Sequence, residues 1–282
     1  MRLRFLVICA AALAALVGSP PLAAGATATG PPGQYYLSLG DSLAFGYQQE
    51  RITAELANGS YSPANFPGYT YRFGSVLQEI NPGLQVVDFG CPGETTVSYT
   101  TGCVAQELGL PLHNGYAGSQ ASAADAFLVA HPGQVSPITV SLGVNDVTPA
   151  LTACAPDYTN ACVGPYITAA TTNLAAILGT LRYLAPGAEI IVLKYYDPFY
   201  VTALGAKTDA LAEALDHAIG LAAASASADT VDAFAAINEP RPPFSETKSV
   251  CKYTLMCADA DIHPSNPGYS LLARLFFNAS GF

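Results

Sequence analysis

Basic residues are scarce in this chain. Eleven lysines and arginines stand against 21 acids over 282 residues, a formal net charge of −10. A surface of that sign is repelled by phosphate backbones and anionic bilayers, which argues against nucleic acid as a partner. Runs of like charge and internal repeats are absent, and so are the signatures of several chemistries. There is no Gly-x-Ser-x-Gly, which argues against the strained elbow of an ordinary α/β-hydrolase. There is no His-Glu-x-x-His and no phosphate-cradling glycine loop. Beyond the first 17 residues no stretch reads as long and apolar enough to cross a membrane. The composition that remains, 51% hydrophobic and 11% charged, lies far from that of disordered chains and fits a globular protein.

The N-terminus has the grammar of a signal peptide. Arg2 and Arg4 precede an apolar run over 5–17, followed by Gly18, Ser19, Pro20, Pro21 and small residues up to Ala26 or Ala28. The reading is a leader over 1–28, cleaved after 26 or 28, with an exported protein carrying no stable membrane anchor. Losing the leader removes two arginines and no acid, so the formal charge becomes about −12. Cys9 lies inside the run; six of the seven cysteines remain, an even number that reads as a disulfide framework in an exported protein. They fall in three close pairs: Cys91 with Cys103, Cys154 with Cys162, and Cys251 with Cys257. Of the possible connectivities we take nearest neighbours, because each pair brackets a loop rich in Gly, Pro or Asn. A metal site is the weaker reading, since no pair has Cys-x-x-Cys spacing and no nearby histidine completes a zinc set.

From residue 29 onward the chain reads as one domain. Short stretches rich in Val, Ile, Tyr and Leu at 34–39, 84–89, 137–142, 188–195 and 230–234 predict strands. Between them lie helical patterns: Leu174, Ile177, Leu178 and Leu181 within 166–184, Leu211, Leu215 and Ile219 in another segment, and further helices over 119–130 and 266–277. That alternation predicts an α/β fold, a mostly parallel sheet with helices on both faces. The segment 30–33 reads as a disordered entry, and 48–69 and 96–120 as long loops walling a pocket.

In such a sheet, ligands bind where loops leave the C-terminal strand ends. The first strand exits into Gly40-Asp41-Ser42, the second into a loop with Gly90 and Gly93, and the third into Gly143-Val144-Asn145-Asp146. A final loop, CADADIHPSNPGY, brings Asp259, Asp261 and His263 just ahead of the last helix. These are the parts of acyl transfer: a hydroxyl nucleophile, an imidazole base, and donors for a developing oxyanion.

With these blocks in this order, nearly the whole chain from Gln34 onward resembles the SGNH (GDSL-type) hydrolases, most of all the secreted bacterial GDSL lipases and esterases with several local disulfides. The resemblance implies a three-layer α/β/α, flavodoxin-like fold with a five-stranded parallel sheet. It implies Ser42 as nucleophile, His263 as base, and an oxyanion hole from the Ser42 N–H, the Gly93 N–H and the Asn145 amide, without metal or cofactor. A helical turn after Gly40 would also set its positive end near the Ser42 hydroxyl. Taken singly, Asp41 and Ser42 read as helix caps, Gly93 or Gly90 as turn glycines, and Asn145-Asp146 as a turn.

One position departs from the family pattern, Asp-x-x-His: Ala260 stands three before His263. Asp261, Asp259 or a main-chain carbonyl near Ala260 could orient the imidazole instead. A helical segment favours Asp259 and an extended one Asp261. The other histidines, His113, His131 and His217, neighbour no motif, and Ser245-Glu246-Thr247-Lys248 matches an acylating Ser-x-x-Lys by spacing alone. Each cysteine pair lies beside a proposed site loop and would brace it. The expectation is a secreted, monomeric serine ester hydrolase acting on small-molecule or lipid acyl esters. The alternatives are a carbohydrate acetyl esterase and a non-catalytic binding module on the same fold.

Overall fold

The computed structural model describes residues 30–240, 242–243 and 245–282. The signal-peptide reading of 1–28 lies outside them. Five strands form one parallel sheet: β1 (Tyr35–Gly40), β2 (Gln85–Asp88), β3 (Val135–Ser141), β4 (Ile190–Lys194) and β5 (Asp229–Asp232), ordered β2-β1-β3-β4-β5. Leu37 pairs with Val87 on one side, and Leu39 with Val140 on the other. β4 is buried from Ile190 to Leu193, the continuous apolar run required of a strand covered on both faces. The strand order reverses at β1, so a crevice opens beyond the ends of β1 and β3.

Helices cover both faces. On one, Gly68–Ile80 packs on Asn266–Ala279; on the other, Gln120–Ala130, Asn160–Leu184 and Ala206–Ser225 lie together. Asn160–Leu184 amends the reading that no further stretch could cross a membrane, for it is long and apolar enough by length and composition. Its apolarity serves the core: Ala170, Leu174, Leu178 and Leu181 are buried. A separate antiparallel ribbon, β6 (Thr254–Leu255) with β7 (Asp261–Pro264), precedes the last helix.

Several segments differ from the sequence reading; the loop 96–120 holds the single helical turns Ser98–Thr101 and Val104–Glu107. Pro32 and Gly33 are tied down: the Gly33 N–H donates to the Ser136 carbonyl at 2.8 Å, and the Asn81 amide donates to the Gly33 carbonyl. The stretch 48–69 is largely helical, through Gln49–Asn58 and the 3₁₀ turn Pro63–Asn65. Gln49–Asn58 buries only Ile52, so no apolar stripe marked it. The Gly68–Ile80 helix was hidden behind Pro67, Gly68 and Gly74, yet Tyr69, Phe73 and Leu77 fall four apart on one buried face.

That helix is held by aromatic stacking. Tyr69 lies 4.5 Å from the Phe276 ring and Phe73 lies 6.0 Å from it, all three fully buried. Phe276→Ala should cost about 3–5 kcal/mol, read as a lowered midpoint in denaturant unfolding; a midpoint within experimental error of the parent would show that the helix pair does not depend on this ring.

Candidate active site

Strand β1 ends where it can come very close to β3. A Cβ on Gly40 would sit 2.3 Å from the Ser141 carbonyl oxygen, and Gly40 has φ +139. Only glycine permits that approach. The Asp41 N–H then donates to the Ser141 carbonyl at 3.0 Å, and its buried carboxylate collects three donors: the Leu43 N–H (2.9 Å), the Ser141 hydroxyl (3.1 Å) and the Tyr195 hydroxyl (2.6 Å). Burial pushes the Asp41 carboxyl up to about 6, against the pull of those donors. Asp41 is therefore the cap, and Ser42 opens the single turn Ser42–Phe45. One turn carries little macrodipole, so the expected positive helix end contributes less than the free N–H groups do.

The other two exits are stitched to this one. Gln120, fully buried, accepts from the Gly40 N–H at 2.6 Å and donates to the Gly40 carbonyl and to Glu94, both at 3.0 Å. Gly93 turns at φ +81 within Cys91–Glu94, a conformation suited to glycine. The Asn145 amide donates to the Glu94 carbonyl at 2.9 Å, using one of its two N–H bonds, while Asp146 accepts from the Thr96 N–H and hydroxyl. No described residue accepts from the N–H of Ser42 or of Gly93.

In the last loop an acid does lie against the His263 ring, two residues before it. The helix Met256–Asp259 ends at Ala260, which turns left-handed (φ 52), and β7 begins at Asp261. Because β7 is extended, the residue two before His263 lies alongside it. Asp261 Oδ1 sits 2.5 Å from His263 Nδ1, and Oδ2 accepts from the Gln49 N–H at 2.8 Å. Burial raises the Asp261 carboxyl, but the hydrogen bond and charge of His263, with the N–H groups of Gln49 and His263, outweigh it and hold it below the usual range. Asp259 and the Ala260 carbonyl make no such contact. The ribbon is fixed by donation from the Tyr196 hydroxyl to the Ile262 carbonyl (2.7 Å) and from the Gln48 amide to the Pro264 carbonyl (3.1 Å).

Ser42, Gly93, Asn145 and His263 all line one open cleft of about 660 Å³, walled also by Leu56, Val104, Leu108 and Ile262. The Ser42 hydroxyl is not hydrogen-bonded to the His263 ring or to any other described residue. All three nearest-neighbour disulfides form. Gly90 is bound instead, its N–H donating to Asp88 Oδ1 at 2.8 Å. Ser245 is a helix cap accepting from the Lys248 N–H, so its spacing to Lys248 is helical geometry and not an acylation motif.

His113 is not the idle loop histidine that its sequence neighbourhood implies. Its Nε2 lies 3.0 and 3.1 Å from the carbonyls of Phe45 and Phe66, which fixes the proton there and ties down the end of the Ser42 turn. It is 3.9 Å from Asp88, but burial lowers the imidazole and pushes the Asp88 carboxyl up to about 8, so the contact joins uncharged groups at neutral pH. Residues that motif reading missed, Gln120, Tyr195 and Tyr196, belong to no motif. Gln120 alone left a trace, a polar residue on the buried stripe with Ala124 and Leu128.

Burial raises three carboxyls around the site: Asp41 to about 6, Glu94 to about 7 and Asp88 to about 8. Carboxyls raised on folding contribute stability that is complete below their unfolded pKa near 4 and is lost as pH climbs through the folded values. The melting temperature should therefore fall from pH 5 to pH 8. Asp88→Asn, which keeps the acceptor for Gly90, should flatten that fall above about pH 6; parallel melting curves for the two proteins would remove Asp88 from the explanation.

The sequence matches the GDSL-like lipase/acylhydrolase family over residues 38–271. No curated protein matches it. Among solved structures it is similar to a lipase from a goat rumen metagenome (17% identity, 87% of this chain and 96% of that one, TM-score 0.58). It is also similar to an acetylxylan esterase from Geobacillus stearothermophilus (19%, 89% and 96%, 0.56) and to an alpha/beta hydrolase from the metagenome of Lake Arreo, Spain (18%, 89% and 96%, 0.54). Identities this low establish the shared fold alone. The sequence match, spanning most of the chain and all the loops that meet at the cleft, places this chain in the GDSL-like lipase/acylhydrolase family.

Proposed function

We propose that this protein is a secreted serine hydrolase of acyl esters. The observation that carries the reading is the convergence of Ser42, Gly93, Asn145 and the Asp261–His263 pair on one cleft. With Nδ1 occupied by Asp261, Nε2 of His263 is the nitrogen left to act. The Ser42 oxygen bonds to the ester carbonyl carbon while its proton passes to Nε2. The tetrahedral anion meets the unshared N–H groups of Ser42 and Gly93 and the second N–H of Asn145. The C–O bond to the alcohol then breaks, Nε2 returns the proton to the departing oxygen, and water repeats the sequence to free the acid.

The apolar walls of the cleft, Leu56, Val104, Leu108 and Ile262, match a sugar poorly and favour lipid or simple esters over acetylated sugar. The Asp261–His263 pair speaks against a binding module that has lost its chemistry. Export is supported by three disulfides, which persist in oxidising compartments.

Ser42→Ala should lower kcat/KM on a nitrophenyl ester by at least about a thousandfold and abolish labelling by a fluorophosphonate. Turnover retained by this variant would sink the proposal. Asp261→Asn should lower kcat/KM by about 100- to 10,000-fold, while Asp259→Asn stays near the parent; the reverse ranking would return the orienting role to Asp259.

A further inference from the structure

Two cavities flank Ser42, and they differ in size and lining. One is the open cleft of about 660 Å³; the other, of about 60 Å³, also touches Ser42, Asn145, Ile262 and His263 but lies on the side of Leu43, Val144 and Phe199. Next to the smaller one lies a third space of about 60 Å³, reaching Leu151, Leu211 and Leu215. The two small spaces share Val144, Thr148, Tyr195, Tyr196, Pro198 and Phe199 as walls.

We propose that the small cavity takes the acyl chain, that the open cleft takes the alcohol, and that Phe199 and Thr148 set the acyl length by standing between the first small space and the next. The assignment rests on Ser42 being the nucleophile.

Its argument is the order of events. Once the alcohol has left, water must reach the acyl carbon beside His263 through the space that the alcohol vacated. That space must open to solvent, as the large cleft does. The acyl group stays bonded to Ser42 throughout, so its cavity needs no path for water and can be narrow and apolar, as the small one is. The small cavity also makes little polar demand. The hydroxyls of Tyr195 and Tyr196 on its wall are committed to Asp41 and the Ile262 carbonyl. In the space beyond, Asp197 caps the next turn by accepting from the Phe199 N–H at 2.8 Å. Phe199 is half-buried and Thr148 exposed, so both can be changed without opening the core.

The experiment is a kcat/KM series on nitrophenyl esters from acetate to dodecanoate, the alcohol held constant. Phe199→Ala joins the two small spaces and should raise the octanoate-to-butyrate ratio roughly tenfold or more. Thr148→Phe fills the passage and should lower the same ratio, and this surface change stands as the test should Phe199→Ala fail to fold. In a second series, butyrate esters of alcohols of increasing size, Val104→Phe in the open cleft should penalise the larger alcohols. The assignment is overturned if neither Phe199→Ala nor Thr148→Phe moves the acyl profile while fluorophosphonate labelling stays intact, or if Val104→Phe moves it instead. With Ser42→Ala inactive, those results bring down the pocket assignment alone; an active Ser42→Ala brings down the nucleophile first and this assignment with it.

Discussion

The site depends on how closely the ends of β1 and β3 approach. Gly40 lets the chain lie against Ser141 with no room for a side chain, and that contact puts the Asp41 carboxylate within reach of Ser141 on β3 and of Tyr195 just beyond β4. One carboxylate thus ties three strand exits together. The Gly-Asp-Ser sequence at the end of a core strand is a division of labour: the glycine permits the approach, the acid braces it, and the serine is left with its hydroxyl unspent. A hydrogen-bonded carboxylate in a dry setting is a stiff brace, since its donors have no water to exchange with.

The same constraint explains the buried acids. Glu94 accepts from Gln120 and from the Ser98 hydroxyl, and Gln120 in turn holds both polar groups of the Gly40 peptide. The loop presenting Gly93 is therefore referenced to the same glycine that positions Ser42. Leaving a buried carboxylate ionised is costly. The raised values of Asp41, Glu94 and Asp88 express that cost, while Asp261, the carboxylate facing the imidazole, is moved the other way. Ionisation is favoured at Asp261, beside the imidazole, and disfavoured at the three buried acids that serve as scaffold.

Much of this was legible in the sequence. Each of the five sheet strands was placed to within two residues of its structural bounds at either end, because strands covered on both faces leave uninterrupted apolar runs. The disulfide pairing followed from proximity along the chain. The orienting acid could not be read, because the answer turned on one local conformation: Ala260 adopts a left-handed turn that ends a helix and lets β7 start at Asp261. Nothing in CADADIHP announces that turn, since alanine has no preference for it. Gln120, Tyr195 and His113 were hidden for another reason. Their partners are main-chain atoms or single side chains about 30 to 150 residues away, and no spacing rule reaches that far.

The three disulfides close loops of similar length, and loop closure alone would contribute roughly 2–3 kcal/mol for each. Their surroundings separate them. Cys91 and Cys103 are both buried in a small apolar cluster with Phe45, Ile52 and Phe66, and the Cys91 N–H donates to the Gly40 carbonyl. Cys257 is exposed and Cys162 only half-buried. The first bridge is thus a core side chain as well as a closure, packed beneath the turn that carries Ser42 and two residues before Gly93. A covalent link inside that cluster restricts the turn of Ser42 and the loop of Gly93 together. The other two restrain chain whose position is already fixed by helices.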